Sequence, residues 1–138
     1  MKTSSRKCSG TFGLAGIAAA LVLILISAPK ADAHARMVRS IPAKNAGITK
    51  SPEQLELWFN ELLEDGFNTL EVYPSAELTS NKHGNLTKGK PVVDAKDHTH
   101  LSVKLEPLPP GEYVVEWRVL SRDGHSAPGR ITFRVVVK

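Results

Sequence analysis

Cysteine is nearly absent from this chain of 138 residues: there is one, Cys8. It lies ahead of an apolar run rather than behind it, so it is a poor lipoprotein acceptor. From His34 onward there is no thiol, which excludes disulfide staples and any cysteine-based zinc or iron–sulfur site. Metal chemistry there is left to His, Asp, Glu, Met or a free amine. Methionine is scarce too, with Met37 the only one after His34. A surplus of one charge is also missing. The formal net charge is +4, but residues 34–138 hold 14 basic against 13 acidic side chains. That balance gives no argument for nucleic acid or for an anionic membrane surface as partner.

What is present begins with a three-part leader. "MKTSSRK" is basic, "FGLAGIAAALVLILISA" is uncharged and apolar, and "PKADA" ends in small residues at Ala31 and Ala33. This is the pattern of a secretory signal peptide with an A-x-A cleavage site. The apolar run is on the short side of the ~20 residues that span a bilayer, so cleavage is expected over anchoring. The expected division is a signal peptide at 1–33 and a single domain at 34–138, without a membrane span of its own and exported to an oxidising compartment. Cleavage after Ala33 would make His34 the first residue. Its α-amine and imidazole together can close a chelate ring on a metal ion.

After His34 the hydrophobic pattern has period two. "EQLELWFN" places Leu55, Leu57 and Phe59 on one face, and "HTHLSVKLEP" does the same with Leu101, Val103 and Leu105. "EYVVEWRVL" puts Tyr113, Val115, Trp117 and Val119 inward, and "RITFRVVVK" puts Ile131, Phe133, Val135 and Val137 inward. Half-buried strands read this way. Between them lie turn compositions such as "TSNKHGN", "PLPPG" and "RDGHSAPG". Six or seven short strands without a convincing helix predict an all-β, antiparallel β-sandwich. "NELLEDG" is one helical turn at most. The chain ends inside its last strand, so no C-terminal anchor is expected.

Five histidines exist, at 34, 83, 98, 100 and 125. "SRDGHSAPG" places Asp123 and His125 around a glycine, in a short loop between two confident strands. With His34 they would supply two imidazoles, an amine and a carboxylate. That mix of N and O donors without sulfur suits tetragonal Cu(II). On its own, Asp-x-His in a loop is a weak signal and is more often a pair of turn residues.

"HARMVRSIPAKNAG" resembles the start of mature CopC-type copper-resistance proteins. "SPEQLELWFNELLE" resembles that family's second strand, and "LPPGEYVVEWRVLSRDGHSAPGRITFRV" its closing hairpin. The likeness spans essentially all of 34–138, with Pro74–Lys96 matching poorly. It implies an immunoglobulin-like Greek-key sandwich of about seven strands that carries copper in the periplasm and is not an enzyme. It implies one Cu(II) ion per chain, with His34, Asp123 and His125 as ligands, and an inner-membrane CopD-type copper transporter as partner.

Two features depart from the family. Some members carry a methionine-rich loop for Cu(I), but "YPSAELTSNKHGNLTKG" has no Met, so no such site is expected and Met37 is expected to pack. Ser126 stands where a proline often follows the histidine. His83 is a loop histidine first and a remnant ligand second. "DAKDHTH" puts His98 and His100 on one solvent-facing side of a strand, where adventitious metal is the expectation rather than a second site. Trp117 shares the core parity and resembles a family tryptophan near the copper; Trp58 has the opposite parity and no assigned role. Two other functions compete. One is a copper-dependent oxidative enzyme of the monooxygenase kind, which shares an N-terminal histidine on a β-sandwich. The other is a metal-free adhesion or assembly module.

Overall fold

The computed structural model describes residues 34–137; the expected signal peptide at 1–33 and the last residue lie outside the described residues. Where apolar residues alternate with polar ones, the chain forms strands whose apolar faces meet. Eight strands result: β1 (Met37–Ile41), β2 (Gly47–Ile48), β3 (Gln54–Phe59), β4 (Thr69–Pro74), β5 (Thr87–Val93), β6 (His100–Leu105), β7 (Gly111–Leu120) and β8 (Ser126–Val135). They make two four-stranded sheets, in the orders β1-β3-β6-β5 and β2-β8-β7-β4. The sheets pack face to face as an all-β sandwich.

The alternating residues form the core. Leu55, Leu57, Phe59, Leu101, Val103 and Leu105 come from the first sheet. Leu70, Val72, Val115, Val119, Ile131 and Phe133 come from the second. Each large apolar side chain removed from water contributes roughly 1.5–3 kcal/mol. Trp117 belongs to this core, edge-on to Phe59 at 6.1 Å between ring centroids. Met37 packs against it from β1.

Three details depart from the sequence reading. The sandwich is not wholly antiparallel, because β2 runs parallel to β8. After β1 the chain turns at Ala43–Ala46 and crosses to the other sheet, where Arg134 N–H reaches Ala46 O and Val136 N–H reaches Ile48 O. Val137 does not point into the core; it is 78% exposed, beyond the last strand residue, Val135. Val114, on the outer face of β7, is buried all the same. The outer face there is covered by the β4–β5 connection, which includes a 3-10 turn at Ser75–Glu77. In that connection His83 stacks on Tyr73, with ring centroids 4.0 Å apart.

For function, the connectivity matters most at one end of the sandwich. The start of β1, the end of β3, the end of β7 and the start of β8 meet there. The backbone records this meeting: Asn60 N–H bonds to Arg36 O, and Leu63 bridges Ser121.

A candidate metal centre at the end of the sandwich

The β7–β8 hairpin closes on the pair Leu120–Ser126, leaving Ser121–His125 as its loop. Gly124 N–H donates to Ser121 O at 2.9 Å, the bond of a four-residue β-turn, and Gly124 sits at φ 88°. That left-handed conformation favours glycine and explains the residue between Asp123 and His125. Ser121 N–H donates to His125 O at 3.0 Å, so the ladder continues beneath the turn.

Within this loop Asp123 and His125 are in contact, with Oδ2 of the carboxylate 2.9 Å from Nδ1 of the imidazole. The other oxygen, Oδ1, accepts from the Ser121 hydroxyl and from the His125 backbone N–H at 3.1 Å. These donors, the Ser121 hydroxyl foremost, pull the Asp123 carboxyl down to about 2. Asp123 is therefore an anion throughout the neutral range. Both side chains reach solvent, His125 at 55% and Asp123 at 40% exposure.

His34 arrives from the other side. Ala35 is buried and Met37 is partly buried, so alternation turns His34 and Arg36 outward. The segment is pinned to the end of β3, where Asn60 Oδ1 accepts from Arg36 N–H at 2.5 Å and Asn60 N–H donates to Arg36 O at 3.0 Å. This places the His34 ring 5.8 Å from that of His125, tilted by 48°. Ala35, Arg36 and Met37 also line a shallow hollow with Trp117.

The fold thus brings His34, Asp123 and His125 to one place. Among the described residues, however, no three His, Cys, Asp or Glu side chains already stand where one ion would touch all of them. Asp123 and His125 form a preset pair. His34 is exposed, and its ring would have to turn to share an ion with them, a motion that is fast for exposed side chains. Were the chain cut before His34, as the sequence leads one to expect, its α-amine would add a fourth donor that is no side chain. In kind, the residues fit a cation that takes imidazole nitrogen and carboxylate oxygen.

Of the other histidines, His98 lies in the turn before β6 rather than on a strand face with His100, and both are half-buried rather than turned to solvent. His100 stacks flat on Trp58 at 4.3 Å, and its Nε2 lies 2.9 Å from Glu56 Oε2. Arg39 covers the same indole at 4.3 Å, so three neighbouring strands contribute one planar row. Trp58, given no role from its parity, is the middle of that row. Asp94 and Asp97 of "DAKDHTH" accept hydrogen bonds from their own turn, from Lys96 and Asp97 N–H and from Thr99. Those bonds lower both carboxyls below the usual range. His83 stacks on Tyr73, whose hydroxyl donates to Glu116 at 2.7 Å. Two residues that matter here escaped the sequence reading, Ser121 and Asn60. Asn60 follows β3 directly, and Ser121 follows β7 and precedes Asp123 by two; a side-chain cap at a strand end was the available signal.

Comparison with known proteins agrees with this architecture. Residues 37–136 match the family model described as the CopC domain. The chain is 36% identical over 118 residues to the copper transport protein CutJ of Bacillus subtilis. That match takes in 83% of this chain but only 20% of CutJ, so the chain corresponds to about a fifth of that longer protein. The crystal structure of CopC from Methylosinus trichosporium OB3b superposes with a TM-score of 0.66 at 27% identity, covering 75% of this chain and 95% of that one. PcoC, a methionine-rich copper-resistance protein from Escherichia coli, superposes with a TM-score of 0.60 at 29% identity, covering 75% and 99%. With a family model matched across nearly the whole described domain and the same sandwich in its solved relatives, the chain belongs to the CopC family.

Proposed function

We propose that this chain is exported to the periplasm, loses residues 1–33, and there binds one Cu(II) ion through His34, Asp123 and His125. The observation that carries this reading is the approach of the His34 ring to within 5.8 Å of His125, itself paired with Asp123 at 2.9 Å. Its support from outside is the family and the names of its members, which include a copper transport protein and a copper-resistance protein. Two imidazoles, an amine and a carboxylate favour Cu(II), which also binds such donors more tightly than other divalent first-row ions. The role is sequestration or carriage of copper as cargo, and no reaction is assigned. A membrane copper transporter of the CopD type is the proposed partner. In CutJ the matching segment lies within one much longer chain.

Amine and imidazole bind metal only when deprotonated, so affinity falls as pH drops. The decisive comparison is Cu(II) titration with EPR on protein beginning at His34, beside protein carrying one extra residue ahead of it. The expected result is a single nitrogen-rich tetragonal signal that is lost or much altered in the extended form. Equal binding by the two would refute the N-terminal chelate.

A further inference from the structure

Ser121 is one of two buried polar residues in the described domain, at 2% exposure. A buried hydroxyl is costly unless it is bonded. Here it donates to Asp123 Oδ1, with the His125 carbonyl oxygen also 3.1 Å away. Ser121 is itself fixed on three sides. Its backbone bridges Leu63, its N–H reaches His125 O, and its carbonyl accepts from Gly124 N–H.

We propose that Ser121 is a positioning residue for the metal site and acts through Asp123; this rests on the copper reading above. The geometry explains how. Two donors, the Ser121 hydroxyl and the His125 N–H, occupy Asp123 Oδ1. The carboxylate plane is thereby set, and only Oδ2 is turned toward His125 Nδ1. Asp123 offers one oxygen to a cation, already aimed, although the residue stands on an exposed turn. Without the hydroxyl, that carboxylate regains its side-chain rotations, and metal binding must order it again. Ser121 touches no ion in this scheme. Outer partners of metal ligands typically change affinity 10–100-fold when removed.

The test uses protein beginning at His34, with Cu(II) affinity measured by chelator competition and EPR. Ser121→Ala is expected to lose at least about tenfold in affinity and to shift the EPR parameters in the direction that Asp123→Ala does. The double variant is expected to bind no more weakly than Asp123→Ala alone, because Ser121 has nothing left to position. Circular dichroism and thermal melting of the metal-free proteins check the fold. Should Ser121→Ala not fold, Ser121→Gly removes the same hydroxyl without adding a metal-binding or redox-active group and carries the same comparison. Wild-type affinity in the Ser121 variant, or losses that multiply in the double variant, would overturn the positioning role alone. A wild-type protein that binds no Cu(II) would overturn the copper reading itself.

Discussion

Gly129 lies directly across from Trp117 in the β7–β8 ladder, and the indole covers it. A methyl group placed on Gly129 would stand 2.2 Å from Trp117 Cζ2 and 2.4 Å from Cε2. Neither distance is tolerable for carbon on carbon, so the ring must move. Its room is small: Trp117 is 7% exposed and meets the edge of Phe59. Forcing an extra carbon into a packed core costs about 1–3 kcal/mol. For a domain of this size each kcal/mol lowers Tm by about 4–8 °C. Gly129→Ala is therefore expected to lower Tm by roughly 5–20 °C, measured by circular dichroism on metal-free protein. The same change in a Trp117→Phe background should cost less, since the smaller ring does not reach as far. Because Trp117 and Ala35–Met37 line one hollow, displacement of the indole should also weaken copper binding. An unchanged Tm in Gly129→Ala, or equal losses in both backgrounds, would refute the steric argument.

Tyr73 carries a pH prediction. Burial, and then its bond to Glu116, raise its phenol from 10.0 to about 12. A raised acid stabilises the fold fully below pH 10, and that contribution is lost as pH climbs toward 12. Two units amount to at most about 3 kcal/mol. The urea midpoint of wild type should fall more steeply above pH 10 than that of Tyr73→Phe; parallel curves would contradict the assignment. In a Trp58→Phe background, which leaves Trp117 as the only indole, Cu(II) should quench the emission, and His125→Ala should abolish the quenching at the same copper level. His98→Ala combined with His100→Ala should leave one tight Cu(II) per chain in a calorimetric titration. Wild type should bind one as well; two ions on wild type falling to one on the variant would reveal a second site at His98 and His100, at the start of β6.

The strands were legible because one-sided burial imposes alternation on the sequence. Leu55-Leu57-Phe59 and Leu101-Val103-Leu105 are buried as the pattern requires. β2 was not legible, since two residues carry no period and its partner strand lies near the other end of the chain. Tyr73 and Val114 broke the pattern for a different reason. Their faces are outward in the sheet but covered by the β4–β5 connection, and that cover is a tertiary fact. The site divides along the same line. His34, Asp123 and His125 stood out through residue chemistry and resemblance. Ser121 reads as ordinary turn punctuation, and it is buried only because Leu63, far back in the chain, folds against it. The two halves of the site are accordingly built by different means. Asp123 and His125 are set by a hairpin turn whose internal bonds are local and which Leu62 and Leu63 tie to the rest of the fold. His34 is held at a distance, through buried Ala35 and the two bonds of Asn60. On the copper reading proposed above, the hairpin loop would be the fixed receiver and the N-terminal histidine the half that has to move to complete the site.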